Sequence, residues 1–199
     1  MPHTEATRYE LRRREVVAAL IRNQPELVVV AGLGSAAWDI TAAGDRDLNL
    51  PLWGAMGGAV SVGLGIALAQ PQRRVIVVTG DGEMLMGLTA LTTIAAMAPE
   101  NLGVLVLDNE TYGETGGQRT NTGRGADLAG MALAAGIQRA WTVTASGECE
   151  PALRRLRDEA GPLFCVAKVR FEELPLVLPP KDGVVLRERF GRALGVAGG

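Results

Sequence analysis

Gly80-Asp81-Gly82 and Asn109 are separated by the 26 residues 83–108, and Asp108 directly precedes the asparagine. A carboxylate and an amide oxygen at this spacing suit a hard divalent cation. Magnesium takes six oxygens in near-octahedral order and commonly divides them between a few protein groups and the phosphates of a ligand. Asp81, the Asn109 amide and one backbone carbonyl would leave positions for two phosphate oxygens and water. Gly82 lets a phosphate approach the backbone closely, and a helix starting just after it would direct free N–H groups at an anion. Since a bare Gly-Asp-Gly also makes ordinary turns, the case for a magnesium and diphosphate site rests on its combination with the spaced asparagine.

For both motifs to face one ligand, each must end a strand of the same sheet. The run 75–79 is β-branched and stops at Gly80, and the apolar run 102–107 stops at Asp108. An uncharged helix from about Glu83 to Met97, stopped by Pro99, is predicted to connect them. Upstream, the pattern predicts an amphipathic helix over 8–23, a strand over 27–31, a short helix after the loop 32–35 and a glycine-rich helix over 57–69. Downstream it predicts a helix over 128–135, a strand over 141–144, a helix over 150–159 and a strand over 163–169, then an extended crossing and a terminal helix. This alternation predicts a single α/β domain over 1–199, an open, mainly parallel sheet with helices on both faces. Ligands of such sheets bind at the carboxyl ends of the strands. There, the polar, glycine-rich loop 108–127 is longer than a connection requires.

Composition excludes several other functions. With 20 Lys+Arg against 22 Asp+Glu, the formal charge is -2, so neither nucleic acid nor an anionic membrane is an expected partner. Cys149 and Cys165 are too few for a disulfide framework, and no CxxC spacing suggests zinc or an iron–sulfur cluster. Cys165, within the apolar run 163–169, reads as a small buried hydrophobe. No charged residue lies between Asp47 and Arg73, yet Pro51 and five glycines interrupt that stretch, which argues for a buried loop and helix rather than a membrane span. The opening residues lack the apolar core of a secretory signal, so a cytoplasmic location is expected. His3, the single histidine, stands in a polar terminus and is expected to be a surface residue rather than an acid or base.

GDGEML, the 26-residue gap and DNETYG together resemble the signature of thiamine diphosphate-dependent enzymes, over a match running from about Val28 to Val169. The resemblance implies the diphosphate-binding module of that family, with thiamine diphosphate and Mg2+ as cofactors. It implies Asp81, Asn109 and the Thr111 carbonyl as magnesium ligands. Gly82 and Glu83 would be further cofactor contacts, as would Tyr112 and Gly113, which resemble the segment that touches the diphosphate in the decarboxylase branch. Met56, 25 residues before Asp81, falls where the family places a bulky apolar wedge between the two cofactor rings, and the Gly54 carbonyl where it accepts from the aminopyrimidine. A Met in such a position is also common core filler. GLGSAA, residues 32–37, has the form of a dinucleotide fingerprint, but no acidic residue follows about 20 positions on. Gly34 and Ser35 are therefore expected near the diphosphate instead.

The family also uses a Glu from a separate pyrimidine-binding module to generate the C2 carbanion. The resemblance thus implies a pyrimidine-binding partner chain supplying that Glu, in a heterotetramer or larger assembly. A separate diphosphate-binding chain of this size resembles the beta subunit of decarboxylases acting on sulfopyruvate, and the loop YGETGGQ, Tyr112 to Gln118, resembles that of decarboxylases acting on phosphonopyruvate. Both substrates are 2-oxo acids with a second anionic group. Thr115 and Gln118 are the candidates for catalytic contacts to substrate, while Arg119 and Arg124 suit either its anionic tail or a solvated loop surface. A subunit of an acetolactate synthase-like carboligase and a noncatalytic cofactor-binding protein remain alternatives. A 2-oxoacid oxidoreductase is disfavoured by the lack of cluster-ligating cysteines.

Overall fold

Val28–Ala31 (β1), Val75–Gly80 (β3) and Leu102–Asp108 (β4) are almost continuous runs of buried aliphatic side chains. Strands covered on both faces need that pattern. In the computed structural model, which describes residues 8–196, they form the middle of a six-stranded sheet. Asn49–Pro51 (β2), Arg139–Val143 (β7) and Leu163–Lys168 (β8) complete it, in the order β2-β1-β3-β4-β8-β7 with every pairing parallel. His3 lies outside the described residues.

Arg13–Ile21 (α1), Ser35–Ala43 (α2) and Ser146–Asp158 (α7) cover one face, burying Leu20, Ile40 and Leu153 against Val29, Ile76 and Leu105. Ala59–Ala69 (α3), Asp81–Met86 (α4), Ala90–Met97 (α5), Leu128–Ala134 (α6) and Gly183–Ala193 (α8) cover the other, burying Leu64, Ile94, Leu128 and Phe190 against Val77, Val104 and Phe164. Burying each large side chain contributes about 1.5–3 kcal/mol. Connections running towards β7 pass over the second face and those running towards β2 pass over the first, as right-handed crossovers require. The connections from β1 and β3 therefore diverge, opening a crevice at their carboxyl ends.

Five elements differ most from the sequence expectations, among them α7, which begins at Ser146 rather than Glu150. The first helix begins at Arg13 rather than residue 8, because Leu11 bridges to Val169 in parallel and its carbonyl accepts from the Arg170 N–H at 2.9 Å. Asn49–Pro51 is a strand that the pattern did not signal; Pro51 is tolerated because β2 is an edge. The single helix expected over 83–97 is two, and the first already begins at Asp81, so Asp81 and Gly82 form a helical turn rather than a free one. Its break falls at Gly87, where a Cβ would stand 2.3 Å from the Gly57 carbonyl oxygen, so close backbone packing admits only glycine there. The long loop also carries structure of its own: Thr111–Tyr112 (β5) pairs antiparallel with Gln118–Arg119 (β6), followed by a 3-10 turn over Thr122–Arg124. The extended crossing and terminal helix are present as expected, the crossing being tied down by Trp53 Nε1 donating to the Pro180 carbonyl at 2.9 Å. Among the described residues no helix is long and apolar enough to cross a membrane.

Candidate active site

The carboxyl ends of β3 and β4 lie side by side, with Gly80 in register with Leu107. The chain leaving β3 turns directly into α4 and presents Asp81, which is only 2% exposed. Its Oδ2 accepts from Thr120 Oγ1 at 2.5 Å and Thr122 Oγ1 at 3.0 Å, and Thr122 Oγ1 also lies 2.8 Å from Asp108 Oδ1. Burial and the neighbouring Asp108 carboxylate push the Asp81 carboxyl up to about 7 against the opposing pull of the two threonines. No cation pairs with Asp81 among the described residues. Asp108, by contrast, is neutralised by Lys168 Nζ at 2.8 Å, which also reaches Glu110 at 3.0 Å. A buried carboxylate without a countercharge is costly, and a divalent cation would remove that cost.

Asn109 and Thr111 follow at the end of β4, and the Thr111 N–H donates to Asn109 Oδ1 at 2.9 Å. Between them Glu110 takes φ +61°, a conformation that side chains rarely adopt. It is held there by the Tyr9 hydroxyl at 2.6 Å, Arg8 at 2.7 Å and Lys168. Burial pushes the Glu110 carboxyl up, but these three partners outweigh it and hold it below its usual value. The strain is thus offset by charge-assisted hydrogen bonds, and the Asn109-to-Thr111 turn comes out fixed.

One cleft joins most of the predicted residues: Asp81, Gly82 and Glu83 line it together with Asn109, Thr111, Tyr112, Gly113 and Thr115, and with Ser35 and Met56 from two further segments. Met56 is 38% exposed and sits between Ala55 and Gly57, both in the left-handed region. Gly34 caps α2 beside Ser35, and Gly54 shares the Met56 loop; neither lines the cleft. Gln118 is not brought to it: Thr115 Oγ1 donates to Gln118 Oε1 at 3.1 Å and Gln118 Nε2 to the Thr115 carbonyl at 3.0 Å, a brace within the hairpin. Arg119 packs on Gly123 and Arg124 ends the 3-10 turn, both away from the cleft lining.

Gly82 carries a packing demand as well. A Cβ there would stand 2.3 Å from Tyr112 Cε1, so the ring lies directly on the glycine. Gly82→Ala is expected to displace Tyr112 and cost about 1–3 kcal/mol by overpacking. Urea unfolding checks this, and Tyr112→Ala in the same chain should recover most of the loss.

Thr120, Thr122 and Lys168 were not foreseen. The only sequence signal was the alternation Thr-Asn-Thr within a polar loop, and nothing local says that the β5–β6 hairpin returns both hydroxyls to Asp81. Among the described residues no cluster of three or more histidine, cysteine or acidic side chains stands ready for a metal. The donor set here is one carboxylate, one amide and one carbonyl, which fits magnesium shared with a diphosphate rather than a cation held by protein alone.

A cleft at the strand ends of a doubly wound parallel sheet defines the class, an α/β protein of the kind that binds its ligands at the carboxyl ends of the strands. A family profile described as "Thiamine pyrophosphate enzyme, C-terminal TPP binding domain" matches residues 33–167, and the chain belongs to that family. Sulfopyruvate decarboxylase subunit beta of Methanocaldococcus jannaschii is 31% identical, over 92% of this chain and 97% of that one. Phosphonopyruvate decarboxylase of Streptomyces viridochromogenes is 40% identical over 77% of this chain, which spans 39% of that protein. Among solved structures, a putative thiamin diphosphate-dependent enzyme from Mycobacterium smegmatis superposes with TM-score 0.67 at 22% identity, covering 81% of this chain and 35% of that one. At that identity the likeness establishes the fold. Family membership and the relationship to 2-oxo acid decarboxylase subunits support a lyase-type catalytic role.

Proposed function

We propose that this chain is the diphosphate- and magnesium-binding subunit of a thiamine diphosphate-dependent decarboxylase acting on a 2-oxo acid with a second anionic group, such as sulfopyruvate or phosphonopyruvate. A pyrimidine-binding partner chain completes it. The observation that carries this reading is the meeting of Asp81, Asn109 and Thr111 in one cleft with Met56. Asp81 through a carboxylate oxygen, Asn109 through its amide oxygen and Thr111 through its carbonyl hold the magnesium. Ser35, Gly82, Tyr112 and Gly113 border the diphosphate; Gly34 and Gly54 act through their backbones from the adjoining loops. When bound, the cofactor supplies an electron sink for the bond to the departing carboxylate. The chain's own contribution would be to hold the magnesium that neutralises the diphosphate and to present Met56 to the cofactor's rings. Thr115 is placed to meet substrate in the cleft, and Gln118 holds Thr115 in place. The match to a chain named subunit beta over nearly its whole length supports a heteromeric enzyme.

Calorimetric titration with thiamine diphosphate tests the site directly. Binding is expected with magnesium and not in the presence of a chelator; equal binding in both conditions counts against it. A second test addresses the wedge. Met56→Ala in the assembled enzyme is expected to lower kcat about tenfold or more while changing cofactor affinity less, because the side chain organises the reacting geometry rather than the anchoring end. Unchanged turnover would make Met56 a packing residue only.

A further inference from the structure

Glu83 stands in the first turn of α4, two residues after Asp81, and is 4% exposed. A carboxylate offered to a diphosphate would repel it, so its place in the cleft lining needs another account. Three segments converge on it. Thr79 Oγ1, at the end of β3, donates to Oε2 at 2.7 Å. The Gly32 backbone rests on the same oxygen, since a Cβ on Gly32 would stand 1.7 Å from it. Burial pushes the Glu83 carboxyl up, and the Thr79 hydroxyl and the backbones of Leu33, Gly57 and Ala59 pull the other way; of these only Thr79 completes a hydrogen bond, and Oε1 has none. Leu33 belongs to the loop between β1 and α2 that leads to Ser35, and Gly57 ends the loop carrying Gly54 and Met56.

We propose that Glu83 is a positioning residue: from the turn that presents Asp81, it anchors both flanking loops, so that the anchoring end and the ring end of the cleft are held as one body. Gly32 is its seat, because only a residue without a side chain leaves room for the carboxylate. The cofactor part of this inference rests on the proposed function; the anchoring part does not.

Hydrogen exchange on the full chain, without cofactor, reads the anchoring. Glu83→Ala is expected to speed exchange at the Leu33, Gly57 and Ala59 amides about tenfold or more, while the β4 amides Val104 to Leu107 keep their protection. Glu83→Gln, which retains one acceptor oxygen, should fall between. Gly32→Ala should reproduce the loosening, and its effect should shrink in the Gly32→Ala, Glu83→Ala double variant, where the methyl finds space. In calorimetry with magnesium, Glu83→Ala should weaken thiamine diphosphate about tenfold, and Glu83→Gln should restore part of it. Unchanged loop exchange, or an equal rise across β4, overturns the proposal, and if Glu83→Ala does not fold, the Gln and Gly32→Ala variants decide it. Local loosening in a chain whose parent form binds no thiamine diphosphate would uphold the anchoring and reject the cofactor reading.

Discussion

Asp81→Ala is expected to abolish magnesium-dependent binding of thiamine diphosphate, weakening it by at least about 100-fold, because it removes the buried carboxylate proposed to hold the cation. Thr120→Ala and Thr122→Ala should each cost less, about tenfold, since they orient Asp81 without touching the cation. Isothermal calorimetry on the three variants ranks them, and equal losses would mean that Asp81 acts only through the hydroxyl network. The reaction should also be proton-linked. In the cation-free chain, burial and Asp108 push the Asp81 carboxyl up to about 7. Its folded value is thus raised above its unfolded one. The stability it contributes is present below the unfolded value and lost as pH rises through about 7. Magnesium favours the ionised form and reverses that trend. Cofactor affinity should therefore climb with pH up to about 7 and level off above it. A flat profile between pH 5 and 8 would show that Asp81 is already ionised without the cation.

This 199-residue chain alone is expected to release no carbon dioxide from sulfopyruvate or phosphonopyruvate, and release should appear when a pyrimidine-binding chain is added. On the proposed reading, the carboxylate that activates the cofactor belongs to that partner. The surface argues the same way. Leu68 on α3, Met86 on α4, Met97 on α5, and Met131 and Leu133 on α6 are exposed, Met86 by 66%, and all sit on the helical layer of one sheet face. On the proposed reading these side chains would be covered by the partner, and methionine suits a packed, adaptable interface. A stable pairing buries roughly 1,200–2,000 Å². Sedimentation should therefore show the lone chain self-associating and the mixed chains forming a defined heteromer. Full decarboxylase activity from a homogeneous preparation of this chain would refute the partner's role.

Elements whose evidence is local were legible beforehand. β3 and β4 declare themselves by uninterrupted buried aliphatics, and the Asp81-to-Asn109 interval is the length of one helix and one strand. The parallel sheet and the meeting of Asp81 and Asn109 at two neighbouring strand ends followed from that alone, and Thr111 from the family resemblance. Met56 and its loop came from the family resemblance, since a methionine among glycines has no distinctive periodicity. The edge strand β2 was missed because three residues ending in proline make no pattern. The demand for glycine at position 87 was not legible because the backbone that imposes it, Gly57, lies 30 residues away.

What the residues determined by themselves was the order of elements and the chemistry available at two strand ends, because side-chain type and short-range spacing set both. Only the tertiary structure decided which groups surround that chemistry. Thr120 and Thr122 reach Asp81 because the β5–β6 hairpin doubles back. Lys168 reaches Asp108 because β8 lies in register beside β4. Gln118 is paired with Thr115 in the same hairpin turn and stays outside the cleft lining. Contacts of this kind depend on where the chain returns in space, and single-residue spacing carries no record of that return.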